Sequence, residues 1–167
     1  MNILVTYFTR SGNTEKVAKA IYEELTESKS LSKIDMNQKL DEYDLVFLGF
    51  PIENYWCPKD IHDFLRKNTE NAKIAFFVTH GVPESNPLLK EWISRTKQLL
   101  PPSAEVIDQF TCQSEVAQNV VDSLKQSGKP MQMQWADHCL HLIGLPDENK
   151  LQKAREFAKK VQQKYKK

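Results

Sequence analysis

Apolar residues fall into two rhythms that alternate along the chain. Ile3-Leu4-Val5-Thr6-Tyr7-Phe8, Leu45-Val46-Phe47-Leu48 and Ile74-Ala75-Phe76-Phe77-Val78 are short, nearly unbroken apolar runs. Such runs mark strands covered on both faces, as the central strands of a parallel sheet are. Between them the spacing turns helical: Val17, Ala18, Ile21 and Leu25 form one stripe; Ile61, Phe64 and Leu65, behind Pro58 at a first helical position, form a second. Leu88, Leu89, Trp92 and Ile93 form a third, in a helix over 86–98 that Pro101-Pro102 closes. Ala104 to Phe110 is less uniformly apolar, which suits an edge strand, and Lys33-Ile34-Asp35-Met36 is a weaker candidate for another. Leu40 to Tyr43 is too short for a covering helix, so the second strand-helix unit is trimmed. From Ser114 the pattern is helical to Gln126, breaks at Gly128 and Pro130, and resumes through Trp135 and Cys139 to Gly144. The last helix carries the clearest stripe, Leu151, Ala154, Phe157, Ala158 and Val161, with Asp147 and Glu148 at its positive end and lysines at its negative end.

Strands alternating with helices of these lengths predict a doubly wound α/β sheet, in a single domain over residues 1–167. Ligands of such sheets sit beyond the carboxyl ends of the strands, where the strand order reverses. That rule selects four loops: Thr9 to Thr14, Pro51 to Cys57, Thr79 to Pro83 and Phe110 to Ser114. Composition narrows the partners. A formal net charge of +1 gives no field to recruit nucleic acid, and no apolar run approaches the roughly 18 residues of a membrane span. The chain enters its first strand without a signal peptide, and three cysteines, an odd number without CxxC spacing, read as reduced thiols. These features together predict a cytoplasmic protein.

The first loop carries the most specific chemistry. Thr9-Arg10-Ser11-Gly12-Asn13-Thr14 leads from a strand into a helix, whose start presents unpaired N–H groups and the positive end of the macrodipole. A turn crowded there with hydroxyl and amide side chains is an anion site, and phosphate is the expected anion. A P-loop needs a lysine and the dinucleotide fingerprint needs three spaced glycines; this turn has one glycine and no lysine. None of Cys57, Cys112 or Cys139 has the arginine of a cysteine phosphatase loop, and no acidic cluster follows the first strand. What remains is a loop that holds one terminal phosphate through hydroxyls and backbone N–H groups. The pattern [ST]-x-[ST]-G-x-T resembles the FMN-phosphate loop of the flavodoxin-like family, and the resemblance extends over nearly the whole chain.

The resemblance implies a five-stranded parallel sheet in the order 2-1-3-4-5 and non-covalently bound FMN. It implies electron transfer to a redox partner protein or small-molecule acceptor, by a monomer or weak dimer. In Pro51-Ile52-Glu53-Asn54-Tyr55-Trp56-Cys57, Tyr55 or Trp56 is expected to stack on the isoalloxazine ring. The other expectation is that both simply plug the end of the sheet. Thr79-His80-Gly81 resembles the segment that meets the pyrimidine edge of the flavin, with His80 either a hydrogen-bonded loop residue or a group that tunes the ring. Cys112-Gln113-Ser114 resembles a Cys-Gln-Gly turn of some members. His62, His138 and His141 have no metal-ligand spacing. The chain departs from typical flavodoxins in being near neutral instead of acidic. It also lacks, after the third strand, the glycine that members use to turn a peptide toward the flavin. A flavodoxin-fold interaction module without FMN is the alternative function.

Overall fold

A computed structural model describes residues 1–166. Its strands are β1 (Asn2–Tyr7), β2 (Ser28–Lys33), β3 (Leu45–Pro51), β4 (Lys73–His80) and β5 (Glu105–Gln113). They form one parallel sheet in the order β2-β1-β3-β4-β5, the flavodoxin-like arrangement. The helices are α1 (Asn13–Glu24), α2 (Lys59–Asn68), α3 (Leu88–Lys97), α4 (Gln118–Gln126), α5 (Pro130–Leu140) and α6 (Glu148–Tyr165).

The alternation of side chains across each strand divides the core in two. Val5, Phe47, Ala75 and Phe77 meet α1 and α6 on one face, while Leu4, Leu48, Phe50, Phe76 and Val78 meet α2 and α3 on the other. Phe47 packs edge-on against Phe157 at 5.9 Å, and Phe50 likewise against Phe76 at 5.2 Å. Each fully buried side chain of this size contributes about 1.5–3 kcal/mol. Gly49 is required by close packing, since a Cβ there would lie 1.9 Å from the Phe77 ring. Asp147 caps α6 by accepting the Lys150 N–H at 3.0 Å.

Several boundaries differ from the sequence expectation. The second strand is Ser28–Lys33 and not 33–36. Apart from Leu31 its side chains are polar, and most are half-exposed, so no apolar run marks it, and the ladder to β1 from Asn2↔Ser28 to Tyr7↔Lys33 defines it. No helix covers the segment after it. Pro58 stands at the N-cap of α2, one residue before the helix. Leu88 opens α3 with its side chain outward, 47% exposed, because its N–H bonds to Asn86 Oδ1 in the first turn while Leu89 and Trp92 take the buried face. Thr79 and His80 are the last residues of β4, Pro51 ends β3, and Phe110 to Gln113 belong to β5.

Candidate functional site

The first loop is held by its own backbone and by the strand ends beside it. Gly12, at φ 89°, turns the chain into α1, and its N–H donates to Thr9 Oγ1 at 2.9 Å. Glycine occupies that conformation at almost no cost. As N-cap it supplies no side chain, so the first-turn N–H groups of α1 stay open to an outside acceptor. Thr14 is buried, and its hydroxyl shares a 2.8 Å hydrogen bond with that of Thr79, which joins the first loop to the end of β4. Two hydroxyls own two protons and this bond uses one. Asn13 is also buried; its Nδ2 donates to the Glu115 carbonyl at 3.0 Å, and its Oδ1 has no partner among the described residues. Ser11 and Arg10 are exposed, and Arg10 is paired with Glu53 of the second loop.

Pro51 and Ile52 lead from β3 into a tight hairpin. Glu53 N–H donates to the Trp56 carbonyl at 2.8 Å, and Trp56 N–H returns a bond of 3.1 Å to Glu53. The two residues between, Asn54 at φ 48° and Tyr55 at φ 67°, both lie in the left-handed region, as a type I′ turn requires. No glycine is present, yet the backbone takes the conformation that glycine favours. A bulky residue at positive φ is an outlier that costs of order 1–3 kcal/mol. The two aromatics of the hairpin diverge. Trp56 folds back, with its ring 4.0 Å from that of His62 on α2 and Arg95 of α3 5.5 Å from its centre. Its Nε1 is buried without a partner among the described residues. Tyr55 projects, 70% exposed, and only leans on Trp92 at 5.5 Å.

At the third loop His80 is buried, with Nδ1 2.9 Å from the Val82 carbonyl. Its Nε2 lies 3.2 Å from Glu84 Oε2, skewed from hydrogen-bond alignment. Glu84 gathers the surrounding elements: it accepts from the Thr111 hydroxyl, the Gln113 N–H and Lys150 Nζ. Burial alone would raise its pKa and favour the neutral form; His80 and the donors from Gln113 and Thr111 outweigh that and hold the carboxyl well below the usual carboxylate range. Gly81 is roofed by the segment after β5. A Cβ on it would stand 2.6 Å from Val116 and 3.6 Å from Trp135, and its carbonyl lies 3.2 Å from His138 Nε2.

That roof is the part of the site absent from the sequence reading. Glu115 ties Asn13 to the far loop through its carbonyl, while its carboxylate accepts the Gly144 N–H at 2.9 Å. Trp135 stacks on His138 at 4.9 Å. The adjacent helical pattern was legible, but nothing in it announced a contact with Gly81. A cavity of about 230 Å³ opens beside the first loop, lined by Tyr7, Phe8, Thr9, Lys33 and Asp60 among others. The three cysteines are free and buried, and burial pushes the Cys57 thiol up to about 11 and that of Cys112 up to about 12, which keeps both protonated.

Among the described residues no helix is long and apolar enough to cross a membrane. The flavodoxin-like domain-containing protein BilS of Clostridioides difficile (strain CD3) is 30% identical over 173 residues, covering 96% of both chains. Oxidised flavodoxin 2 from Bacillus cereus superposes with a TM-score of 0.61 at 20% identity, over 98% of this chain and 99% of that one. A flavoprotein from Lactobacillus acidophilus NCFM, solved in complex with FMN, gives 0.51 at 18% identity over 66% of this chain and 92% of that one. The profile of the flavodoxin domain matches residues 4–159, so this chain belongs to the flavodoxin-domain family.

Proposed function

We propose that the protein binds FMN non-covalently at the carboxyl edge of the sheet and passes electrons to a redox partner protein or a small-molecule acceptor. The observation that carries this reading is the Thr9–Thr14 loop. Gly12 turns it without a side-chain cap, and open N–H groups stand beside the buried Thr14–Thr79 hydroxyl pair. A phosphate monoester satisfies such donors. An unpaired group beside that loop fits the rest of the ligand: Asn13 Oδ1 lacks a donor, and FMN offers ribityl hydroxyls. Bound FMN supplies the redox chemistry itself. The chain's residues hold and orient it: Thr9 to Thr14 at the phosphate, Pro51 to Trp56 on one side, Thr79 to Gly81 on another. Tyr55 is the aromatic free to cover the ring, since Trp56 is engaged with His62.

One observation favours the second reading, an interaction module without FMN. Met131 (84% exposed) and Ile143 (69%) stand out from α5 and the turn beyond it. The visible spectrum of the purified protein before and after adding FMN decides between them. A bound flavin with shifted absorption bands is expected; an unchanged free-FMN spectrum at millimolar protein would leave the module reading.

A further inference from the structure

Arg10 joins the Thr9–Thr14 loop to the hairpin through charge. Its Nε donates to both oxygens of Glu53, at 2.9 and 3.0 Å, across 43 residues of sequence. Its guanidinium carbon lies 5.0 Å from the Phe8 ring centre, so the side chain lies back along the end of the first strand. Neither Nη1 nor Nη2 makes a hydrogen bond among the described residues. Glu53 is in turn the residue whose N–H and carbonyl close the two-residue turn that presents Tyr55.

We propose that Arg10 is a positioning residue that bridges two anions: its Nε edge holds Glu53 at the base of the hairpin while its Nη groups meet the ligand phosphate, so that phosphate binding and the placement of Tyr55 are coupled. This rests on the FMN reading above. A guanidinium has five N–H donors in a fixed plane and serves two acceptors at once, which a lysine ammonium does less well. Arg10 is 62% exposed and Glu53 29%, and exposed pairs of this kind add little to folding stability. The significance of the pair lies in what it connects. The turn above Glu53 is strained at Tyr55, and a strained turn keeps its conformation only when its surroundings hold it. If the hairpin loosened, binding would have to order it again, at a cost in affinity. Removal of Arg10 also leaves the Glu53 carboxylate facing the phosphate without a cation between them.

The test uses Arg10→Gln, Glu53→Gln, their combination, and the charge exchange Arg10→Glu with Glu53→Arg in the full chain. In the cofactor-free protein, amide exchange at Glu53 and Trp56 is expected to quicken in both single variants and to return toward the parent rate in the charge exchange. Each single variant is expected to weaken FMN by about fivefold, the upper range for an exposed pair, and the combination to add little to the worse single change. The charge exchange should protect the hairpin yet bind FMN poorly, because it places a carboxylate in the phosphate loop. If Glu53→Gln tightens FMN, Glu53 competes with the phosphate for Arg10 and the bridge is overturned. Amide exchange unchanged in both single variants overturns it equally. A parent protein that binds no FMN sinks the functional reading and the bridge together, whereas FMN binding indifferent to all these variants sinks the bridge alone.

Discussion

The Thr9–Thr14 loop and the Glu53–Trp56 hairpin both turn the chain through positive φ, but by different means. In the first, glycine takes the left-handed position at φ 89° and its surroundings are open, with nothing within 4 Å of where a Cβ would stand. The loop is relaxed, closed by the short-range bond from Gly12 to Thr9, and reads directly from six consecutive residues. In the hairpin, asparagine and tyrosine take the left-handed positions. That conformation is imposed by paired backbone bonds and flanked by contacts from Arg10, His62 and Trp92. One region is a self-contained turn that leaves the first N–H groups of α1 open. The other is a strained arm whose geometry depends on the rest of the fold.

The contrast can be broken most strongly at the first loop. Riboflavin, which lacks the phosphate, is expected to bind at least about thirtyfold more weakly than FMN, since two donors left unpaired at about 1–3 kcal/mol each reach that ratio even at the low end. Equal affinities in a fluorescence titration would remove phosphate recognition from this loop. Thr14→Val probes the link between loops. Because the Thr14 hydroxyl is already bonded to Thr79 in a buried site, this change strands the Thr79 hydroxyl. It should cost about 1–3 kcal/mol of stability in urea unfolding without any flavin. Full stability combined with selective loss of FMN would mean that Thr14 faces the ligand alone.

The hairpin should respond in two directions at once. Tyr55→Gly relieves the left-handed strain, by about 1 kcal/mol, and should raise Tm by roughly 2–4 °C. It should also lose about 1 kcal/mol of FMN affinity if the tyrosine covers the ring. A variant that loses stability would show that the Trp92 contact outweighs the strain. One that gains stability and binds FMN unchanged would make Tyr55 a bystander.

The smallest effect belongs to the third loop, where Glu84 ties β5 and α6 to the end of β4. A carboxyl held ionised below its ordinary value contributes fully above that value and gives up its contribution as acid is added. Unfolding measured from pH 7 down to about pH 3 should show the parent losing stability from about pH 5 downward. Glu84→Gln should start lower, by less than about 1 kcal/mol because the side chain is partly exposed, and fall less over that range. Parallel pH curves for the two proteins would remove Glu84 from the acid response.

The contrast between the two loops also explains which parts of the molecule were legible. The chain by itself determined β1, β3 and β4, because burial on both faces demands consecutive apolar residues. It determined α6, whose stripe must face one way around the helix, and the Thr9–Thr14 turn, because a strand, a glycine turn and a helix start are all local. Tertiary structure decided the rest. Ser28–Lys33 is a strand because its backbone pairs with β1, and its half-exposed side chains carry no apolar signal for that pairing. The left-handed turn at Asn54-Tyr55 and the roof of Val116, Trp135 and His138 over Gly81 depend on groups distant in sequence. So does the reach of Arg10 to Glu53 across 43 residues. Propensity and periodicity act over a few neighbours, whereas these features exist only once the strands have brought their carboxyl ends to one edge.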